Sequence, residues 1–132
     1  MVLDEDAAMI YGRVLIAIAR ADGEIDPDEA SALERIIAQR SPIPLPIGEL
    51  LFAPPAKPEQ LARGSGAGGG PFRSVAIDLG EIARTLVDDA LEVVLAKGSI
   101  TSGEQASLIR FATALGLSSD EVRDRIARAS SP

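Results

Sequence analysis

The stretch Asp22-Gly23-Glu24-Ile25-Asp26-Pro27-Asp28-Glu29 decides how this chain is read, because a helix stop, a turn, a helix start and five carboxylates fall within it. Gly23 suits the place just past a helix end, where the backbone turns left-handed and a side chain would clash. Asp26 then fits an N-cap, Pro27 the first helical position and Glu29 the third. That is the capping-box spacing, in which two orphan amides are satisfied reciprocally. Ile25 is left to point between the two helices that the corner joins.

The pattern returns 75 residues later as Lys97-Gly98-Ser99-Ile100-Thr101-Ser102-Gly103-Glu104. Gly98, Ile100 and Glu104 answer Gly23, Ile25 and Glu29, and Thr101 replaces Asp26 as the cap. Asp22, Glu24 and Asp28 become Lys97, Ser99 and Gly103, so the geometry is kept while the negative charge is not. The acidity of the first corner therefore reads as additional to what the turn needs.

Working outward, the rest of the first half reads as two helices. Ile10, Val14, Ile18 and Ala21 recur at helical spacing over about Glu5 to Ala21, with Arg13 and Arg20 off that stripe. After the corner, Ala30, Leu33, Ile36 and Ile37 form a second stripe, which Ser41-Pro42 ends. Residues 41–73 hold seven of the nine prolines and six of the twelve glycines, so no regular helix passes through them. Pro42, Pro44 and Pro46 alternate with Ile43, Leu45 and Ile47 in an extended pattern. One helical turn is expected near Gly48 to Phe52 and another from Pro58. Gly64 to Gly70 reads as a linker by composition.

A long helix is expected from about Ser74 to Ala96, with Leu79, Ile82, Leu86, Ala90, Val93 and Val94 on one face. Past the second corner, Leu108, Phe111, Ala112 and Leu115 mark a helix closed by Gly116. Ser118 to Glu121 has capping-box spacing and opens a last helix carrying Val122 and Ile126. No stretch alternates as a strand. The prediction is an all-α, single-domain helical bundle of five principal helices, with halves 5–40 and 74–129 joined by the Pro/Gly-rich connector 41–73.

Composition narrows the chemistry. The 132 residues suffice for one core, an aliphatic one, since only three Phe, one Tyr and no Trp are present. Cys and His are both absent, which removes disulfides, thiolate ligands, the commonest general base and the commonest zinc ligand. Carboxylates remain as the acid-base or metal-binding groups. The net charge of -7 is concentrated: residues 1–34 carry nine acids against Arg13 and Arg20, and the remainder is balanced. Such a field disfavours nucleic acid. The acidic start and the lack of any long apolar run predict a cytoplasmic protein without a membrane span.

The run Ala19-Arg20-Ala21-Asp22-Gly23-Glu24-Ile25-Asp26-Pro27-Asp28-Glu29, followed by Leu33 and Ile36, resembles the TerB-like tellurite-resistance domain. Residues 98–104, through Leu108 to 114–118, are similar to its second half. The resemblance covers roughly residues 8–40 and 86–127 and leaves out the middle. It implies an all-helical bundle of two related halves, a metal-responsive acidic site, and work within a bacterial stress-response assembly.

Two places could carry function. At the first corner, Asp22, Gly23, Ile25 and Glu29 match the fifth, sixth, eighth and twelfth positions of an EF-hand, but Ile18 and Arg20 stand where the first and third ligands belong. The acids then read either as a well-capped, solvated helix start, each favourable by about 0.3–1 kcal/mol, or as a weak site for calcium, magnesium or manganese on Asp22, Glu24, Asp26, Asp28 and Glu29. The resemblance brings the second level with the first. With Lys97 in the acid's place, the second corner is expected to bind no cation. In the middle segment, Ile43, Leu45, Ile47, Leu51 and Phe52 either cover the bundle edge or anchor a protein partner. No organic cofactor is expected. An enzyme is the weakest class: without His or Cys, catalysis needs paired carboxylates in a cleft or a tightly held metal, the acids here fall on a turn, and no phosphate-binding loop is present.

Overall fold

The computed structural model describes residues 1–62 and 78–130. Their regular structure is entirely helical: α1 (Glu5–Ala19), α2 (Pro27–Arg40), α3 (Ile47–Phe52), α4 (Pro58–Ala62), α5 (Leu79–Leu95), α6 (Ser102–Ala114) and α7 (Ser119–Ser130). The five predicted principal helices are α1, α2, α5, α6 and α7, and the two turns expected in the middle segment form α3 and α4. The glycine run 64–70 and the predicted helix start at Ser74 lie outside the described residues.

Helix α1 begins where the Asp4 carboxylate accepts the Ala7 amide at 2.8 Å, with Glu5 and Asp6 at the positive end of the helix dipole. It stops at Ala19, two residues before the predicted end. The Arg20 carbonyl accepts the Gly23 amide at 2.8 Å, so Ala21 and Asp22 belong to the closing turn and not to the helix.

Two helices are central. Helix α1 lies against α2, α3, α5 and α6, and α5 against α1, α2, α6 and α7. Helix α1 is accordingly apolar on several faces, with Ala7, Tyr11, Val14, Leu15, Ile18 and Ala19 all buried. Leu33, Ile36, Ile82, Leu86 and Leu108 complete an aliphatic interior in which each side chain contributes about 1.5–3 kcal/mol. Close approach is secured at Gly12: a Cβ there would lie 3.2 Å from Ile37 Cδ1 and 3.5 Å from Leu50 Cδ1.

The middle segment is laid onto this bundle. Leu50 of α3 is buried, Ala56 and Leu61 are buried farther on, and α4 packs on α6. At the end of the chain, the Ser118 hydroxyl accepts the Glu121 amide at 3.2 Å, the forward half of the predicted box. The Glu121 carboxylate turns instead to Arg84 and Arg125, at 2.8 and 3.2 Å, because a guanidinium is a stronger partner than a backbone amide. No helix among the described residues is long and apolar enough to cross a membrane.

Candidate functional site

Both corners close as capping boxes. The Asp26 carboxylate accepts the Glu29 amide at 2.8 Å while Glu29 Oε1 accepts the Asp26 amide at 3.1 Å. Thr101 Oγ1 accepts the Glu104 amide at 3.1 Å, and Glu104 Oε1 accepts the Thr101 amide at 2.9 Å. Gly23 and Gly98 hold φ of 113° and 116°, a conformation closed to ordinary side chains.

Each box glutamate thereby spends one oxygen on its cap and keeps the other. Both remaining oxygens face Lys97. Its Nζ stands 2.6 Å from Glu104 Oε2, 2.7 Å from Asp22 Oδ2 and 3.7 Å from Glu29 Oε2. The Lys97 side chain is 17% exposed, whereas Glu29 and Glu104 are closed to solvent. Burial pulls the Lys97 pKa down, but hydrogen bonds to Asp22 and Glu104 outweigh it and raise the net value. The same lysine holds the Asp22 carboxyl below its ordinary range by hydrogen bonding. Glu29 moves the opposite way, pushed up chiefly by burial.

The five predicted metal residues are thus divided among different tasks. Asp22 pairs with Lys97, Asp26 and Glu29 cap one another, and Glu24 and Asp28 are exposed. Among the described residues, no three or more acidic side chains are placed to hold a metal ion. The expectation that the first corner's acidity is additional to the fold is corrected at Asp22, whose carboxylate pairs with Lys97. Glu104 was missed as a participant, although its place in the second box matches that of Glu29 in the first.

A second polar cluster joins α1, α2 and α5. The Tyr11 hydroxyl donates to Asp89 Oδ2 at 2.5 Å, and Arg40 grips the same carboxylate through Nε at 2.8 Å and Nη2 at 2.9 Å. Asp89 is 6% exposed, so its charge depends on that fork. Burial, reinforced by the Asp89 charge, drives the Tyr11 phenol far above its usual pKa, and the hydrogen bonds to Asp89 raise that of Arg40. The cluster is fully engaged, which suits a strut and not a reacting centre. Its sequence signal was Asp89 itself, three residues after Leu86 and four before Val93 on the apolar face of α5.

The predicted partner-binding residues also separate. Leu45, Ile47 and Leu51 are half-buried against the bundle, while Ile43 is 45% and Phe52 90% exposed. The bland reading, cover for the bundle edge, fits the first three residues and not Phe52. The segment is tied down from α1 and its C-cap: Arg13 Nη2 donates to the Pro54 carbonyl and Arg20 Nη1 to the Leu51 carbonyl, both at 2.7 Å.

Between α1, α6 and residues 53–58 lies a cleft of about 530 Å³. Ile16, Leu50, Ala56 and Phe111 contribute apolar wall, and Arg13, Arg20 and Arg110 supply the charge. None of its lining residues is acidic. Sequence reasoning noted Arg13 and Arg20 only as lying off the apolar stripe; their spacing of seven, two helical turns, places them on one face.

Comparisons with the models of known protein families, with curated proteins and with solved structures gave no match to this chain.

Proposed function

We propose that the chain is a non-enzymatic TerB-like module, two helix-corner-helix halves (5–40 and 74–129) bridged by the connector 41–73, that serves a bacterial stress-response assembly by binding a protein partner. The observation carrying this reading is Phe52. An aromatic ring left 90% exposed on a short helix whose flanks are pinned by Arg13 and Arg20 is a pre-positioned anchor, and it loses little entropy on docking. Ile43, also exposed, extends the same apolar segment. Binding of this kind needs no metal, and Lys97 supports that view by supplying a positive charge to Asp22, Glu29 and Glu104 from within the chain.

A photo-crosslinking residue at position 52, with position 123 as control, tests the proposal in cells. A discrete adduct from position 52 alone, unchanged by chelator, is the expected result. Equal adducts from both positions, or none, overturn it.

The second reading is a cation-responsive corner on Asp22, Glu24, Asp26, Asp28 and Glu29. It is favoured by the convergence of Asp22 and Glu29 on one positive centre, which a divalent ion would have to displace. Calorimetric titration with calcium, magnesium and manganese, on the natural chain and on a Glu24→Gln, Asp28→Asn variant, separates the two. Heat from the natural chain that the variant lacks would select the cation reading.

A further inference from the structure

We propose that the cleft between α1, α6 and residues 53–58 binds a small organic anion, a carboxylate or phosphate ester attached to a compact apolar body. The first support is electrostatic. Arg13 and Arg20 are the only bases in a segment with nine acids, and both line this cleft. Arg110 joins them from α6, and no acid lines the wall. A concave patch of one sign inside a chain of net charge -7 focuses its field on whatever enters, in this case a negative group.

The second support is preorganisation. Arg13 gives one hydrogen bond to the Pro54 carbonyl of the opposite wall and Arg20 one to the Leu51 carbonyl of α3, both at 2.7 Å, which fixes each side chain while leaving most of its five donors uncommitted. Arg13 Nε is shut off from water and has no hydrogen-bond partner among the described residues. With Nη2 on the Pro54 carbonyl, Nε is left as a donor that an incoming acceptor would satisfy.

The third support is size and lining. A volume of about 530 Å³ falls within the roughly 300–1,000 Å³ of small-molecule sites. Ile16, Ala17, Leu50, Ala106 and Phe111 offer apolar surface that inorganic phosphate would leave unfilled. Ser107, 8% exposed, adds one neutral hydroxyl beside them. This inference stands apart from the partner reading, which rests on Phe52.

The test is calorimetry on the full chain with octyl phosphate below its micelle concentration, and with octanoate. Octanol and inorganic phosphate are run at the same concentration. One-site binding of either anion is expected, with octanol and inorganic phosphate silent; the tighter of the two anions identifies the headgroup. In an Arg20→Gln, Arg110→Gln variant that remains folded by thermal denaturation, the affinity should fall by about tenfold or more. Arg110→Gln alone, at an exposed side chain, should weaken binding and serves if the double variant fails to fold. Silence from both anions, octanol or inorganic phosphate binding as tightly as octyl phosphate, or full affinity in a folded arginine variant overturns the proposal.

Discussion

Asp22 and Lys97 stand at the same place in their two corners, 75 residues apart, and their side chains meet at 2.7 Å. The charge that changes sign between the repeats therefore becomes an attraction between them. Around that contact, Glu29 and Glu104 each share a carboxylate between a helix cap and the lysine.

Removing the lysine should expose what it neutralises. Lys97→Met leaves Glu29 and Glu104 buried with no cation between them, and about 3 kcal/mol of stability should be lost at neutral pH. Urea denaturation measures the loss. Adding Glu104→Gln to the variant should recover a good part of it, since glutamine still fills the box. Divalent cation should raise the midpoint of Lys97→Met more than that of the natural chain; equal responses would mean that the three carboxylates do not act together.

The pH dependence of Glu29 has a definite sign. Burial raises its folded pKa above the unfolded one, so its contribution is complete below the unfolded value and is lost as pH rises through the folded value. Asp22 runs oppositely, contributing above its unfolded pKa and losing that contribution as pH falls through the lowered folded value. Glu29→Gln keeps an oxygen for the Asp26 amide and removes the buried charge. It should be more stable than the natural chain near about pH 7 and level with it near about pH 4. Denaturation at both pH values decides, and a gap that widens on acidification would contradict the assignment.

At the interior strut, Tyr11→Phe removes one donor from a carboxylate still held by Arg40. A cost of about 1–2 kcal/mol is expected. Arg40→Met instead leaves Asp89 buried and uncompensated, at a cost of about 3–5 kcal/mol. Equal costs in thermal or urea denaturation would show that the arginine fork is not the dominant partner.

Glycine substitutions separate backbone conformation from packing. Gly23→Ala meets nothing within 4 Å yet forces alanine to φ 113°, for a loss of about 1–2 kcal/mol. Gly103→Ala places a Cβ 3.1 Å from the Ala21 carbonyl oxygen and should cost a similar amount, about 1–3 kcal/mol, by prying α6 from the end of α1. Gly48→Ala, in open space within α3 and at ordinary φ, should gain about 0.4–1 kcal/mol. Thermal midpoints of the three variants provide the comparison.

Local signals in the sequence carried the fold well. Caps, glycines and apolar stripes act within a few residues, so both corners and the five longer helices were legible, and even α3 and α4 were marked by prolines. Contacts across the chain were not. Nothing near Lys97 announces that its partners are Asp22 and Glu29, and the place of Asp89 on an apolar face does not say that its partners are Tyr11 and Arg40 from other helices. The cleft was hidden for the same reason: Arg13 and Arg20 gain meaning only when Arg110 and the 53–58 wall stand opposite.

The opposite signs at Asp22 and Lys97 also make the two junctions non-interchangeable. Had the chain carried the first version twice, carboxylate would confront carboxylate; with the second version twice, ammonium would confront ammonium. Unlike ends attract, so the contact of a first corner with a second is favoured over the contact of two like corners.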